Sequence, residues 1–386
     1  MKINNLILLI LFFFTGSQTV SSQSKKGDLP IIDFSKQYPK KEILLQDIAE
    51  SEYIPLETTD DILLGDRLVL SGISDKYILI HEPWRGNIFV FNRNGKIYSH
   101  FNHKGQSGRE YAWIGDAGTI LDEKNEEIFV CNQSILVYSL KGEYKRTLKI
   151  NTVDNYSKVF NVDDEALLVY DDVIVDPGLE GNTKEYPYRL VSKKDGSLIS
   201  VLNIHFPKRY SIRLAKIDKN SWSFVYMFYT ESMYYGQDIM LADISSDTLY
   251  QLTPGRKLIP ILTRKPSVHV SEDPRKVWVT SLTTEKFMIV DEISLNFNSG
   301  GGKIPSFMYE FETGEVTRIS FYDAEYGTNW NPGNSPAIAK NRIANLIQPS
   351  SIINAYKKKQ LKGNVEKFIK TLNEDDNPVV RIIKFK

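Results

Sequence analysis

The stretch "KYILIHEPWRGNIFVFNRNGKIYSHF", residues 76–101, decides the fold. Its runs of apolar and aromatic residues predict strands over residues 77–81, 87–92 and 96–101, with polar turns between them. Gly95 can adopt the positive φ that a tight hairpin turn requires. The stretch therefore predicts antiparallel β-structure with short connections.

The same strand–turn–strand unit recurs along the chain. "EEIFVCNQSILVYSLKGEYKRTLKI" repeats the whole unit, and "YRLVSKKDGSLISVLNI", "IMLADISSDTLYQL" and "FMYEFETGEVTRISF" repeat its second half. Four-stranded propeller blades recur at about 40 to 50 residues. We expect "DDVIVDPGLEGNTKEYP" and "NFNSGGGKIPS" to be insertions that lengthen the later repeats. The repeated turns are centred on Gly95, Gly142, Gly196, Asp247 and Gly314.

This pattern predicts an all-β fold, a six-bladed β-propeller of four-stranded antiparallel blades with a short helical insertion near the C-terminus. Five hairpins and one less regular C-terminal unit give the six blades. "KEILLQDIAESEYIPLE" and "NPVVRIIKFK", at the two ends, both have strand patterns. If one blade takes strands from both ends, the ring closes without an open edge. The alternative, a β-sandwich followed by a small α/β domain, explains the strands but not the repeated turns.

The N-terminal residues predict export. "MKINNLILLILFFFTGSQTVSSQSKKGD" combines Lys2, an apolar run over residues 6–14 and small residues where signal peptidase cleaves. The apolar run is about half as long as a membrane span. The sole cysteine of the sequence, Cys131, is far from this run, so a lipid anchor is not expected. We expect a periplasmic or extracellular protein that is not a lipoprotein and has no membrane span after signal removal.

The expected organisation of the chain is a single domain behind a signal peptide and a linker. The helical pattern near the C-terminus has apolar residues at a spacing close to 3.6. The predicted segments are a signal peptide at 1–22, a linker at 23–42 and the propeller at 43–386, with a helical segment at about 350–373 and a closing strand at about 378–386.

Composition and motifs exclude several classes of function. The 386 residues contain 48 Lys and Arg and 48 Asp and Glu, so no net charge attracts the chain to nucleic acid or to an anionic membrane. "SGGGKIPS" lacks the residues and the following helix of a phosphate loop, and "GQSGR" lacks the second glycine of a nucleophile elbow. The five histidines have no partners at metal-binding spacing. We expect no cofactor, no metal and no nucleic-acid partner.

Four segments, in order, carry a family resemblance: "YIPLETTDDILLG", "IFVFNRNGK", "HKGQSGREY" and "EDDNPVVRIIKFK". Over residues 43–386 the chain resembles the exported six-bladed β-propeller family of Bacteroidetes, which is related to NHL- and TolB-type propellers. In that family the third segment usually reads Gly-Gln-Gly-Pro-Gly-Glu-Tyr, and this sequence departs from it at Ser107 and Arg109. The resemblance implies a fold and export. It implies no activity, because a fold does not determine a function.

Propeller geometry predicts a ligand-binding rim. The loop that joins one blade to the next lies on the same face as the loop between the two middle strands, so "HKGQSGREY" and "HEPWRG" should lie close together near the channel. Arg offers a planar fork of donors to a carboxylate, and Trp offers a stacking surface. For Tyr111 the alternative is a structural role between two blades. The residues expected at this rim are Trp84, Arg85, Lys104, Arg109, Glu110, Tyr111 and Trp113.

Three classes of function remain open. The first is an exported, non-catalytic binding module of the cell envelope that binds a glycan, a peptide or an envelope protein, and we expect it to be a monomer. The second is a glycan hydrolase or lyase, which requires carboxylates that face each other in the channel. The third is a structural assembly partner, which predicts an exposed apolar patch and no charged cleft.

Overall fold

The computed structural model has six β-sheets arranged as a propeller around a central channel. Residues 29–151, 156–171, 186–210, 213–218, 221–226, 232–270, 274–296, 305–334, 337–361 and 364–386 are described by the structure. The chain first places one strand on each of the last three blades. These N-terminal elements are β1 (Ile31–Asp33), β2 (Lys40–Leu44), α1 (Leu45–Ile48) and β3 (Ala49–Pro55).

Blades 1 to 3 follow in chain order, and each has four antiparallel strands that run from the channel outwards. Blade 1 consists of β4 (Val69–Ile73), β5 (Tyr77–His81), β6 (Asn87–Asn92) and β7 (Ile97–Asn102). Blade 2 consists of β8 (Thr119–Asp122), β9 (Glu127–Cys131), β10 (Ile135–Ser139) and β11 (Tyr144–Leu148). Blade 3 consists of β12 (Tyr156–Asn161), β13 (Ala166–Asp171), β14 (Tyr188–Ser192) and β15 (Leu198–Val201).

Blades 4 and 5 come next, after a separate hairpin of β16 (Arg213–Asp218) and β17 (Ser221–Tyr226). Blade 4 consists of β18 (Ser232–Tyr235), β19 (Asp238–Leu241), β20 (Thr248–Leu252) and β21 (Leu258–Lys265). Blade 5 consists of β22 (Arg275–Thr283), β23 (Phe287–Leu295), β24 (Ser306–Glu310) and β25 (Val316–Asp323), and β26 (Thr328–Trp330) pairs with β25.

Blade 6 joins the two ends of the described chain. Its strands are β27 (Ala337–Ala339), β28 (Arg342–Ile347), β29 (Val379–Phe385) and β3. β3 pairs antiparallel with β29 along its whole length, from Pro55 opposite Val379 to Ala49 opposite Phe385. This pairing closes the ring, and the predicted six-bladed fold is confirmed.

The core lies between the blades, and it explains why β5 is apolar throughout rather than alternating. Tyr77 and Leu79 pack with residues of blade 2 such as Ile128. Ile78 and Ile80, on the opposite face of the same strand, pack in a cluster with residues of blade 6. Because side chains of a strand alternate between two faces, a middle strand of a blade serves two interfaces and is buried on both.

The predicted linker at 23–42 needs correction, because it contains β1 and the start of β2. Both strands add in parallel to outer strands, β1 to β21 of blade 4 and β2 to β25 of blade 5. Their apolar side chains are the physical reason, since Ile32 is fully buried and Ile43 is buried as well. Residues 1–28, 172–185 and 297–304 lie outside the described residues. These ranges hold the predicted signal peptide and most of the two predicted insertions.

The helical segment is shorter than the periodicity of the sequence predicts. α2 (Pro349–Lys357) ends where Lys359 adopts a positive φ of 58°, and a 3-10 helix, Val365–Lys367, follows. Val365 still packs against Ile352 of α2, so the apolar spacing is satisfied by a folded-back turn rather than by a continuous helix. In the described residues, no helix is both long enough and apolar enough to cross a membrane.

Candidate functional site

A cavity of about 1320 Å³ occupies the central channel. The innermost strands of blades 1 to 4 line it, namely β4, β8, β12 and β18. Each of these strands is the last one in its sheet, so one edge of its backbone has no strand partner among the described residues. Backbone N–H and C=O groups along such an edge need partners, and a bound molecule can supply them.

Two ion pairs between blades lie at one end of the channel. This is the end at which the first two strands of each blade are joined by a turn. Lys193 Nζ of blade 3 is 2.6 Å from Asp122 Oδ2 of blade 2. Arg256 Nε of blade 4 is 2.6 Å from Asp163 Oδ2 of blade 3. Burial alone would raise the pKa of Asp122 and Asp163, but hydrogen bonds from Lys193 and Arg256 outweigh burial and hold both pKa values below their usual range. Both carboxyls are therefore ionised at neutral pH.

A cluster of uncharged polar side chains lines the wall towards the opposite end. Ser71 Oγ is 2.6 Å from His81 Nδ1, and Thr119 Oγ1 donates a hydrogen bond of 2.7 Å to Ser71 Oγ. His81 is buried, and burial lowers its pKa from 6.5 to about 4, so the imidazole is neutral at pH 7. The sequence gives no sign of this cluster, because Thr119 belongs to another blade than Ser71 and His81.

The two loops of the predicted rim are in contact. Lys104 Nζ donates a hydrogen bond of 2.6 Å to the backbone oxygen of Trp84, and Tyr111 OH donates one of 2.7 Å to the backbone oxygen of Gly86. Trp84 keeps 65% of its surface exposed. The "HEPWRG" loop starts at His81, so this rim lies on the same face of the propeller as the Ser71–His81 end of the channel.

Arg85 lies in a small pocket of about 120 Å³ beside Trp84, lined also by Asp66, Arg67 and Glu82. Its Nη1 is 3.6 Å from Glu82 Oε1, and the Glu82 side chain is almost fully buried. The exposed Arg85 guanidinium therefore has a buried carboxylate on one side and solvent on the other.

Arg109 and Trp113 lie further along the second loop. The Arg109 guanidinium carbon is 5.3 Å from the centre of the Tyr144 ring, which belongs to the outer strand of blade 2. Trp113 is 43% exposed, and its backbone oxygen accepts a hydrogen bond of 2.6 Å from Asn132 Nδ2. Both residues are exposed; Arg109 lies against blade 2, while Ile114 N, next to Trp113, donates a hydrogen bond of 3.2 Å to Pro83 O in the loop of Trp84.

Glu110 and Tyr111 are engaged within the fold. Glu110 Oε2 accepts a hydrogen bond of 2.9 Å from Ser107 N, and the hydrogen bonds from Ser107 lower the pKa of Glu110. Tyr111 is 1% exposed, and burial raises its pKa to about 12. Its ring lies edge-on to Tyr138 of blade 2, and its hydroxyl binds blade 1. Tyr111 thus has the structural position between two blades that was the alternative to a binding role.

None of the seven predicted rim residues lines the channel cavity. The first residue of the loop between blades 1 and 2 that does line it is Asp116. The structure thus separates the rim from the larger and more strongly charged cavity. Among the described residues, no group of three His, Cys, Asp or Glu side chains could hold a metal ion.

Comparison with known families gives one match to nearly the whole described chain. The family model described as "Domain of unknown function (DUF4934)" matches residues 29–384. The chain belongs to the DUF4934 family. A search of curated proteins gives no match.

A solved structure resembles this DUF4934 chain in fold, and two others align with it at TM-scores below 0.5. A Bacteroides fragilis protein whose name provisionally classes it as exported is 13% identical, with a TM-score of 0.59 over 92% of this chain and 99% of that one. Virginiamycin B lyase from Staphylococcus aureus is 8% identical, with a TM-score of 0.37 over 86% of this chain and 99% of that one. A protein of unknown function from Bacteroides caccae is 13% identical, with a TM-score of 0.32 over 65% and 80%. Identities this low concern the fold alone.

Proposed function

We propose that this DUF4934 protein is an exported, non-catalytic binding protein of the cell envelope that holds a short peptide in its central channel. The observation that carries the proposal is the cavity of about 1320 Å³, bordered by four strand edges and by ionised side chains of both signs. Small-molecule pockets typically measure about 300 to 1000 Å³, so this volume suits a larger, polar ligand. Export is supported by the N-terminal sequence.

Backbone chemistry favours a peptide over a glycan. An extended peptide can pair its N–H and C=O groups with a free strand edge. A sugar instead requires an accessible aromatic face, and the phenyl and phenol rings of the described lining belong to Phe160 and Tyr234. These two rings pack edge-on, 5.2 Å apart, and Tyr234 OH accepts a hydrogen bond from Asn161 N. Phe160 is buried and Tyr234 is partly buried against the same core cluster, so the two rings offer a sugar little accessible surface.

The lowered pKa values of Asp122 and Asp163 make neither carboxyl suited to act as the acid of a glycan hydrolase. Such an enzyme needs one carboxyl that stays protonated near neutral pH and donates its proton to the leaving group. A catalytic acid needs a raised pKa, whereas the pKa values of Asp122 and Asp163 are both lowered. The charged cavity also differs from what a purely structural assembly partner predicts.

The rim remains a candidate for additional contacts on the same face. Trp84 and Arg85 are exposed, and Lys104 holds their loop through the Trp84 carbonyl. A peptide that leaves the channel on this side could stack on Trp84 and offer a carboxylate to Arg85. Arg109 is held over Tyr144 and would contribute less.

A binding screen against a peptide library and a glycan array tests the proposal. Val69 lines the cavity and is 41% exposed, so Val69→Trp should fill the channel mouth without disturbing the core. We expect peptides to bind the wild type, Val69→Trp to weaken binding at least tenfold and Trp84→Ala to weaken it less. Val270→Trp is the matched control, because Val270 is 71% exposed and does not line the cavity. Binding of glycans alone, or peptide binding that Val69→Trp leaves intact, would refute the proposal.

A further inference from the structure

The outer strand of blade 3, β15, exposes three apolar side chains among its four residues. All four of its residues are exposed, with Leu198 at 46%, Ile199 at 39% and Val201 at 40% of their full surface. Single exposed apolar residues are common on proteins, but three in a four-residue edge strand are not. The position of the strand makes this more significant, since no described strand pairs with its outer edge.

The other described outer edges are protected in ways that β15 is not. Exposed sheet edges recruit further strands unless charged or polar side chains, or an added strand, block them. Blades 4 and 5 carry the added strands β1 and β2. The remaining outer strands each carry at least two polar or charged side chains, whereas β15 carries Ser200 alone; examples are His100 and Asn102 on β7, Lys145 and Arg146 on β11, and Glu50 and Glu52 on β3.

The backbone of β15 is available for pairing at Val201, on the regular side of a register shift that leaves Ile199 without an opposite residue in β14. Leu202 N donates a hydrogen bond of 3.0 Å to Tyr188 O, and Ser200 lies opposite Leu190 in the same ladder. In an antiparallel ladder the backbone groups of successive residues point to alternate sides. The N–H and C=O groups of Val201 therefore point away from β14, towards the bare edge.

We propose that the outer edge of β15 is a docking site for an extended, apolar segment of a partner protein, which adds to blade 3 as a fifth strand. This site is independent of the channel. The precedent is within the chain itself, where β1 docks on blade 4 through Phe34 N to Lys265 O, 2.7 Å, and buries Ile32. β2 docks on blade 5 in the same way through Arg318 N to Pro39 O, 2.9 Å.

The size of the edge selects an extended segment rather than a second copy of this chain. Four residues of strand span about 13 Å. Two copies that paired only along such an edge would bury far less than the roughly 1200 Å² that a stable interface requires. A flexible segment needs no large interface, because strand addition supplies main-chain hydrogen bonds and its alternate side chains can cover Leu198, Ile199 and Val201.

The probe is a fluorescein-labelled peptide with the sequence "LPIIDFS", residues 29–35 of this chain, which already forms a docked strand on blade 4. We expect saturable binding to the full protein by fluorescence anisotropy and an affinity at least tenfold lower for Ile199→Lys. Val270→Lys, at another exposed apolar residue, should leave the affinity unchanged. A second peptide with proline in place of Ile32 should not bind, because proline disrupts strand pairing.

Three results would overturn the proposal. One is no binding of the probe to the wild type, and another is binding that Ile199→Lys leaves intact, which would place the peptide elsewhere, for example on blade 4. The third is a wild-type dimer in sedimentation equilibrium that Ile199→Lys converts to a monomer, which would assign the edge to a second copy. Circular dichroism of Ile199→Lys and of the milder Ile199→Thr checks that the variants keep the fold.

Discussion

Arg381 donates a hydrogen bond of 2.6 Å to the carboxylate of Glu325, and both side chains are buried where blades 5 and 6 meet. The same Glu325 oxygen accepts hydrogen bonds of 2.7 Å from Ser51 and Tyr53 of β3. Arg381 also pairs with Asp323 at the end of β25. One buried cluster therefore ties the N-terminal strand, the C-terminal strand and the neighbouring blade together at the closure of the ring.

Replacing Arg381 should destabilise the ring strongly. Arg381→Met leaves two buried carboxylates without their cation, and breaking a buried pair in this way costs about 3–5 kcal/mol. The free energy of unfolding from urea titration measures the loss. Lys384→Met is the matched control on the same strand, because its pair with Glu52 is partly exposed and should contribute under about 1 kcal/mol. Equal losses for both variants would contradict a special role for the buried cluster.

Two glycines of the opening repeat and its following loop should differ sharply in their tolerance of alanine. Gly95 has φ of 86°, and an added Cβ would lie 2.0 Å from the backbone oxygen of Pro55. We expect Gly95→Ala to cost at least about 2 kcal/mol, because left-handed backbone alone costs roughly 1–2 kcal/mol for a residue with a Cβ. Gly108 has no atom within 4 Å of an added Cβ, so Gly108→Ala should change stability by less than about 0.5 kcal/mol. Thermal unfolding of both variants checks the contrast.

The contrast between β5 and β1 shows how far the sequence alone determines this fold. The bounds predicted for β5 coincide with the observed Tyr77–His81, since polar turns flank a run of buried side chains. β1 is not predictable locally. Its three residues pair with β21, with Ile32 opposite Arg264, and no nearby residue signals a contact so distant in sequence. In a hairpin, a strand pairs with the strand that follows it in the sequence, whereas an added outer strand pairs with one far away in the sequence.

The candidate site likewise has one part that the sequence predicts and one part that it does not. The order of strands in a blade predicts that the loops of Trp84 and Lys104 touch, and the structure shows this contact as a hydrogen bond from Lys104 Nζ to the Trp84 carbonyl. The channel cluster of Ser71, His81 and Thr119 does not follow from sequence, because its members meet through the angle between two blades. Contacts between side chains of different blades can be identified only from the folded structure.

Asp291 should make the protein less stable as the pH rises. Burial raises the pKa of this carboxyl, and Oδ1 accepts no hydrogen bond within the described part of the chain. The folded protein therefore retains a proton that the unfolded chain releases near its ordinary pKa of 3.8, so stability falls from that pH up to the folded pKa. We expect Asp291→Asn to flatten this decline in urea unfolding measured between pH 4 and 7. The exposed Asp60→Asn is the control, and an unchanged slope in Asp291→Asn would refute the assignment.

His81 should have the opposite effect, a loss of stability as the pH falls. In the folded protein its pKa is about 4, while the unfolded chain takes up the proton near pH 6.5. The contribution of His81 to stability is therefore complete above pH 6.5 and is lost down to pH 4, by about 3 kcal/mol for a difference of this size. His81→Asn, which can still accept a hydrogen bond from Ser71, should lack this loss, so its unfolding free energy should fall by about 3 kcal/mol less than that of the wild type over this range, whereas a control at the exposed His205 should keep the wild-type slope. If the wild type and His81→Asn depended on pH in the same way between pH 4.5 and pH 7, His81 would not be buried in its neutral form.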